Sequence, residues 1–405
     1  MIAEGRKPPK ERQWIETPSG HYPFSVRQRK AVLLELVGGW DEAEVLYREN
    51  LEAARAAGDR RLELEALNRL VQFFQNRGEY KKMGPLLEQA SAISAGLGDR
   101  ALLAEAMMGQ GILAWRLGRC PEAMGKYQEA LAVFEGLGDR PSISRLLNNI
   151  GVLHENQAQY AEAMECYRRK LAGDEQSGNL AGQGSANINM GICLMHQGDL
   201  DSSRRHYLRA LEIERHRGDI RRIAIIISNL GVVHRERGEF GEAGRLWHEA
   251  AGIYRRLGDQ RGLSINLNNL GNLRESMGDP DGALDFYRKA AEIGEALGDA
   301  KQLGIYYANM ATTLFRRGDY RAAGERFEQA TGLLTRVNAQ RYLMETLGRR
   351  AEMAAETGRP SEAVELIDRA MEIAGRIGRQ DRLEEFARLR DGFQSAAGGD
   401  PERPD

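Results

Sequence analysis

A chain-reversing residue recurs at a fixed interval of forty residues along most of this sequence. The first series comprises Gly58, Gly98, Gly138, Gly178, Gly218, Gly258, Gly298 and Gly378, with Asn338 at its one missing position. The second series is offset by twenty residues and comprises Gly38, Gly78, Gly118, Gly198, Gly238, Gly278, Gly318 and Gly358, with Ala158 at its gap. Glycine, and after it asparagine, best tolerates the left-handed conformation that ends a helix. The spacing therefore predicts nine repeats of forty residues between residues 21 and 380.

The apolar residues between these glycines follow a helical spacing. In the first half of a repeat they recur at intervals of four and three, as at Ile143, Leu147 and Ile150, which places them on one side of an α-helix. An aspartate follows most glycines of the first series, as at Asp219 and Asp259, and can cap the next helix. Each repeat is thus predicted to be a hairpin of two helices, each about four turns long.

Small residues occupy fixed positions inside the predicted helices. Glycines such as Gly231 and Gly271 lie in the middle of first helices, where glycine costs about 1 kcal/mol relative to alanine. In the second helices an alanine precedes an aromatic residue by four positions, as at Ala243 and Trp247. Close packing between helices explains both features. A single hairpin cannot bury both of its faces, so neighbouring repeats must stack. The chain is predicted to be an all-α, right-handed α-solenoid of about nine helix-turn-helix repeats.

The seventh repeat resembles the tetratricopeptide repeat. Leu270 and Gly271 in its first helix, followed by Ala283, Tyr287 and Ala290 in its second, are similar to the pattern of that family. The forty-residue period and the Gly-Asp linkers look like the extended repeats of the Leu-Gly-Asn-repeat polarity adaptors and of kinesin light chain. Glycine replaces the usual helix-ending proline, and the large aromatic residues of the first helix are mostly lost. These departures argue against the shorter form of the tetratricopeptide repeat, but they do not change the predicted fold.

Distinct segments flank the repeats. Residues 1–20 are expected to form an N-terminal arm that lies as a strap over the first repeat, and a leader or an arm that enters the groove also fits these residues. Residues 381–395 are predicted to form a capping helix, whose apolar stripe consists of Leu383, Phe386, Leu389 and Phe393. Residues 396–405 combine proline, glycine and charge, which predicts a disordered tail.

A row of asparagines lies on the side of the first helices opposite the apolar positions. It comprises Asn149, Asn189, Asn229, Asn269 and Asn309, in five consecutive repeats. Asparagine is unfavourable inside a helix because its amide competes with the backbone. Each amide offers an acceptor and two donors that match the backbone of an extended peptide. The row predicts a peptide-binding groove, and copying by duplication or bonding to an adjacent helix are the alternatives.

Further side chains near this row complete the candidate site, and an aliphatic line runs beside them. The polar and charged members are Arg145, Asn148, Asn268, Asn272, His196 and Arg316. The aliphatic members are Val152, Ile192, Val232, Ile225, Ile265 and Ile305, which either contact a partner or are covered by neighbouring repeats. The family resemblance implies that first-helix asparagines line a concave groove and hold peptide backbone. The related carboxylate clamp is not reproduced, because Arg145 is the only basic residue of this stripe in repeats four to six.

Composition excludes several classes of function. The chain has 57 Lys+Arg against 59 Asp+Glu, a balance that argues against a nucleic-acid partner. No run of about 18 apolar residues exists, so no membrane partner is expected. Three cysteines without paired spacing suit a reducing, cytoplasmic compartment, and arginine greatly outnumbers lysine, a hint of a bacterial source. No catalytic cluster, metal site or phosphate-binding loop is found, so neither an enzyme nor a cofactor is expected.

The sequence thus favours a non-enzymatic scaffold or adaptor for protein–protein interaction. Its partner is expected to be a protein or peptide segment bound in extended conformation in the concave groove. The alternative is a regulatory sensor module, similar to the repeat arrays of bacterial regulators, in which an effector or the chain's own N-terminal arm occupies the same groove. Fold alone does not choose between them.

Overall fold

In a computed structural model that describes residues 23–36 and 38–397, the chain consists of helices joined by short turns, and these residues contain no strand. The helices are α1 (Phe24–Leu36), α2 (Trp40–Ala56), α3 (Arg60–Arg77), α4 (Met83–Gly96), α5 (Arg100–Arg116), α6 (Cys120–Leu137), α7 (Arg140–Asn156), α8 (Tyr160–Gln176), α9 (Leu180–His196), α10 (Leu200–Arg217), α11 (Ile220–Glu236), α12 (Phe240–Arg256), α13 (Gln260–Ser276), α14 (Pro280–Leu297), α15 (Ala300–Arg316), α16 (Tyr320–Arg336), α17 (Gln340–Glu356), α18 (Pro360–Ile377) and α19 (Gln380–Ala397). A 3-10 turn, Tyr80–Lys82, precedes α4. The predicted all-α solenoid of paired helices is confirmed. The N-terminal arm and residues 398–405 of the predicted tail lie outside the described residues.

The turns depend on the residues of the two glycine series. Gly218 ends α10 with a φ of +71°, its N–H bonds to the carbonyl of Arg215, and the N–H of Asp219 bonds to the carbonyl of Glu214. This pattern closes the helix end as in a Schellman motif. Asn338 and Ala158, at the two gaps of the series, adopt the same left-handed conformation with φ values of 53° and 60°. The register predicted from the glycines therefore extends through both exceptions.

Aspartates at the starts of first helices act as caps. Asp219 Oδ1 accepts from the N–H of Arg222 at 3.0 Å, and Asp259 Oδ1 accepts from the N–H of Gly262 at 2.9 Å. Such a cap stabilises a helix by about 1 kcal/mol. At α17 the equivalent residue is Ala339, which supplies no side-chain cap.

The chain divides into two compact parts. The first extends to Leu113 and includes Gln128–Leu137, and the second consists of Ala114–Tyr127 and the residues from Gly138 onward. In the first part, helices α1 to α4 pack in sequence. Its aromatic core is centred on Phe73, whose ring centroid lies 5.9, 5.5 and 5.3 Å from those of Trp40, Tyr47 and Phe74 respectively.

In the second part, a glycine of each of several first helices lies directly against an aromatic ring of the following helix. A Cβ atom on Gly231 would be 2.6 Å from Trp247 Nε1, and one on Gly271 would be 2.4 Å from a ring carbon of Tyr287. Trp247 is fully buried and donates from Nε1 to the carbonyl oxygen of Ser228 at 2.9 Å. The same contact recurs between Gly151 and Tyr167. These glycines are therefore needed because the neighbouring helix leaves no room for a side chain.

A buried ionic group replaces apolar packing in repeats four and five. Lys170 Nζ lies 2.6 Å from Asp174 Oδ2 and 3.0 Å from Ser144 Oγ, and all three side chains are buried. Glu214, forty residues after Asp174, is also buried and lies 3.4 Å from Arg222 Nη1. Burying a charge is costly unless partners surround it, which these groups supply for one another.

The last helix covers the end of the core. Phe386 of α19 is 3% exposed, and its ring would lie 2.9 Å from a Cβ atom on Gly348 of α17. Leu383, Leu389 and Phe393 are half-buried against the same cluster. The apolar stripe of this helix thus packs on the ninth repeat while its other side faces solvent.

The packing of Gly231 against Trp247 generates a matched pair of substitutions. Gly231→Ala should destabilise the protein by about 1–3 kcal/mol, because the added methyl group clashes with a fully buried ring. Gly252→Ala, in α12, should stabilise it by about 0.5–1 kcal/mol, because beyond the backbone of its own helix no atom lies within 4 Å of the new Cβ. Urea unfolding midpoints would measure both, and a shift of the two variants in the same direction would contradict the packing described.

Candidate functional site

Within the second part, the first helices of neighbouring repeats approach each other directly. This holds for α7 with α9, α11 with α13, α13 with α15, and α15 with α17. In the same part of the chain, the second helices α8, α10, α12, α14, α16 and α18 make no comparable approach to one another. First helices therefore line the inner side of the local curve, which is where the predicted asparagine row belongs.

The five asparagines of the amide row, Asn149, Asn189, Asn229, Asn269 and Asn309, lie one on each of α7, α9, α11, α13 and α15. All five are half-buried, and none is closed off from solvent. A polar group in this state can still bond to a bound molecule.

Three members of the amide row also link neighbouring first helices. Each donates one N–H to a side chain forty-one residues earlier, on the preceding first helix. The pairs are Asn189 with Asn148 at 2.9 Å, Asn269 with Ser228 at 3.3 Å, and Asn309 with Asn268 at 2.8 Å. An asparagine amide has two N–H donors and an acceptor oxygen, so each bond uses only part of its capacity. The bonds fix the orientation of these three amides.

The other two members have no such partner. No hydrogen bond to the side-chain amide of Asn149 or Asn229 occurs among the described residues. For Asn229, the equivalent position on the preceding first helix is Ile188, which offers no acceptor. A half-buried amide without a protein partner must bond to water or to a ligand, since an unmet donor costs about 1–3 kcal/mol.

The three other asparagines of the candidate site accept hydrogen bonds from side chains of the protein. Asn268 is only 7% exposed, and its Oδ1 already accepts from Asn309. The side-chain oxygen of Asn148 is engaged in the same way by Asn189. Asn272 is half-buried, and its Oδ1 accepts from the hydroxyl of Tyr287 at 2.7 Å. These three oxygens hold protein side chains in place.

The charged members of the site lie at its edges. Arg145 is exposed and donates to Ser142 Oγ at 3.0 Å. Arg316 is exposed and donates to Glu275 Oε1 at 3.1 Å, so its charge is compensated within the protein.

His196 adds a flat aromatic surface at the end of α9. Its ring stacks on Tyr160 with a centroid distance of 5.5 Å. The side chain keeps an exposed edge, but the surrounding protein desolvates the ring and, together with the positive charges of Arg341 and Arg379, lowers the pKa of His196. The ring is therefore neutral at pH 7 and acts as a stacking and hydrogen-bonding group.

The aliphatic line beside the amide row divides into two kinds of residue. Ile225 and Ile265 are 40% and 36% exposed, so they offer apolar contact points. Ile192, Val232 and Ile305 are half-buried against the core of the repeats. Neighbouring repeats thus cover part of this line and leave part of it open.

Other chemistry of the described residues is limited. No group of three or more His, Cys, Asp or Glu side chains is placed to hold a metal ion within the described ranges. The three cysteines are free thiols, and burial raises the pKa of Cys193 to about 12, which makes it unreactive. None of the described helices combines the length and the apolar character needed to cross a lipid bilayer.

Several solved structures share this fold. A Rap protein complexed with Competence and Sporulation Factor has a TM-score of 0.57 at 17% identity, over 92% of this chain and 98% of that one. The Rap conjugation gene regulator of the plasmid pLS20, in complex with the Phr* peptide, has a TM-score of 0.56 at 16% identity, over 86% and 96% of the two chains. The apo form of RapI has a TM-score of 0.52 at 16% identity, over 68% of this chain and 98% of that one. At these identities the likeness concerns the fold alone.

Sequence comparison agrees with the helix pairing. No curated protein matches the chain. Two family models do match it, and both describe the tetratricopeptide repeat. One matches residues 62–136, 222–296 and 266–336, and the other matches residues 108–178. Together the matched segments span more than half of the sequence and coincide with the paired helices described above. The chain therefore belongs to the tetratricopeptide-repeat family.

Proposed function

We propose that the inner surface of the first helices binds an extended segment of another protein or peptide, and that the chain serves as a non-enzymatic interaction scaffold. The observation that carries this proposal is the state of Asn149 and Asn229. Both amides are half-buried and lack a partner among the described residues, in a row whose other three members are held in orientation by inter-helix bonds.

The spacing of the row suits an extended backbone. Packed helices lie about 8–10 Å apart, and an extended chain advances about 3.3 Å per residue. Amides on adjacent first helices would therefore meet peptide groups about three residues apart. Each such hydrogen bond contributes about 0.5–1.5 kcal/mol, so useful affinity requires several of them. Ile225 and Ile265 would contact apolar side chains of the same segment.

The bonds between first helices favour binding in a second way. Asn189, Asn269 and Asn309 are already restrained by the preceding helix, so little side-chain freedom is lost when a peptide arrives. Restraint before binding raises affinity because the entropy cost has been met during folding. The free thiols of the chain favour a reducing site of action, and we infer the bacterial cytoplasm.

The double variant Asn149→Ala with Asn229→Ala tests the proposal. We expect it to reduce retention of a random hexapeptide library on the immobilised full chain about tenfold, since two hydrogen bonds of about 0.7 kcal/mol each are lost. Mass spectrometry would quantify the retained peptides. The melting temperature should stay close to that of the wild type, because neither amide bonds to the protein.

The matched control is Asn189→Ala with Asn309→Ala. It also removes two amides of the row, but it breaks the bonds to Asn148 and Asn268, so it should lower the melting temperature as well as retention. An equal loss of stability in both double variants, or unchanged retention in the first, would assign the row to packing.

A second candidate function is a regulatory sensor. It is favoured by the shared fold with the Rap conjugation gene regulator, which was solved with the Phr* peptide, over 86% of this chain. In that case an effector peptide, or residues 1–20 of the chain itself, would occupy the groove and change its affinity for a partner.

Removal of residues 1–20 separates these possibilities. If the N-terminal arm occupies the groove, the shortened chain should retain several times more hexapeptide than the full chain. If an external effector acts on the solenoid, the best-retained peptides should reduce the radius of gyration measured by X-ray scattering. A scaffold without regulation predicts equal retention and an unchanged radius, and that outcome would exclude the sensor.

A further inference from the structure

A groove runs between α10 and α12, the second helices of repeats five and six. Its floor is the apolar side of α11, where Ile227 and Leu230 are buried. Leu208 and Leu211 of α10 form one wall, and Leu246 of α12 contributes to the other. The groove has a volume of about 560 Å³, which is in the range of pockets that proteins use for binding.

The groove and the amide row lie on opposite sides of α11. Ile227, Leu230 and His234 line the groove and follow the three- and four-residue spacing of one helix face. At about 100° per residue, Asn229 of the amide row points away from that face. A molecule bound in the groove would therefore leave the amide row open to a peptide.

Leu208 is an apolar residue at a repeat position that is otherwise polar. It is 42% exposed, and the other eight repeats have a polar or charged residue at this position, among them Gln128 and Arg168. Between α8 and α10, the residues that correspond to Leu208 and Leu246 are Arg168 and His206. The apolar wall is therefore a local feature of repeats five and six and does not follow from the repeat pattern.

Two arginines without partners lie at the ends of this wall. Arg204 and Arg215 share the groove face of α10 with Leu208 and Leu211, eleven residues apart, which corresponds to about 16 Å along the helix axis. Both side chains are exposed. Neither forms an ion pair or a hydrogen bond with another side chain in the part of the chain that the structure describes.

The charges of the opposite wall compensate one another. Arg245 Nη2 lies 2.6 Å from Glu242 Oε1, and Arg245 Nη1 lies 3.3 Å from Glu249 Oε2. All three side chains belong to α12, so these carboxylates are already engaged. The uncompensated charge of the groove is therefore positive and lies at the two ends of its α10 wall.

We propose that this groove binds an amphipathic helix of a second partner protein, with acidic residues at both ends of the apolar face of that helix. Charge complementarity argues for the acidic ends, because Arg204 and Arg215 have no carboxylate of their own. A helix suits the groove because side chains at positions 1, 5, 8 and 12 of a helix share one face, with the same spacing as the α10 wall. The apolar anchors of such a helix pack into a groove between two others.

This inference goes beyond the proposed function, since the chain would hold one partner on its inner surface and a second one outside. A second copy of the chain is a poorer match for the groove. The exposed apolar side chains of α1 are Val26, Val32 and Leu33. The exposed cations Arg29 and Lys30 lie between them, and the arginines of the groove would repel these cations.

The test uses the full chain and a designed helical peptide of about 18 residues with blocked ends. The peptide has two glutamates eleven residues apart and leucines four and seven residues after the first glutamate, in a background of alanine and glutamine. In one control peptide lysine replaces both glutamates, and in another proline replaces the residue after the first leucine. Fluorescence anisotropy would measure the dissociation constants. We expect the chain to bind the glutamate peptide about tenfold more tightly than either control.

A substitution in the apolar wall tests where the peptide binds. Leu208→Gln introduces the residue type found at position 128 and should weaken binding of the glutamate peptide about tenfold, because an apolar contact is lost. The matched control is Leu297→Gln in α14, which changes a leucine that is 47% exposed and lies outside the groove. It should leave binding unchanged. Both positions are exposed, so melting temperatures near that of the wild type would exclude a folding defect.

A second pair of variants tests the charges. Arg204→Gln with Arg215→Gln should make the glutamate and lysine peptides bind equally. Arg255→Gln with Arg256→Gln removes the same charge from two exposed positions of α12 outside the groove, and should preserve the preference for glutamate.

The outcomes separate this proposal from the previous one. Asn149→Ala with Asn229→Ala should bind the helical peptide as the wild type does, whatever its effect on hexapeptides. Equal binding of all three peptides by wild type, or unchanged binding by Leu208→Gln, would overturn the outer site. If sedimentation shows that wild type self-associates and that Leu208→Gln does not, the groove is an interface between copies and the proposed occupant is wrong.

Discussion

The contact between a glycine of a first helix and an aromatic ring of the following helix sets the geometry of the second part of the chain. Gly231 and Gly271 allow Trp247 and Tyr287 to lie where a side chain would otherwise be. This contact recurs at the same repeat position from Gly151 to Gly271, so these hairpins close in the same way. The amide row depends on that regularity, since the asparagines share one face only while the hairpins stay in register.

The features that could be predicted from the sequence are those determined within one repeat. A left-handed turn residue, a capping aspartate and a glycine facing an aromatic ring each depend on residue types at short separations. The placement of the amides could not be predicted in the same way, because it depends on the side chain that the preceding helix presents. Asn189 meets an asparagine and is bonded, whereas Asn229 follows Ile188 and is not. The buried pairing of Lys170 with Asp174 could not be predicted either, because oppositely charged residues four positions apart on a helix usually form a solvent-exposed pair.

The hydrogen bond from Asn338 to the carbonyl of Arg116 joins residues 222 positions apart, whereas most contacts of the solenoid join adjacent repeats. A stack held only by nearest neighbours can melt from its ends, one repeat at a time. A long-range contact opposes this, because the end of the eighth repeat, which carries Asn338, cannot fray without also releasing the end of α5. Closing so long a loop carries a substantial entropy cost, so the bond can form only after the intervening repeats have ordered. Loss of order at either end of this contact should therefore be felt at the other, although the two lie far apart along the chain.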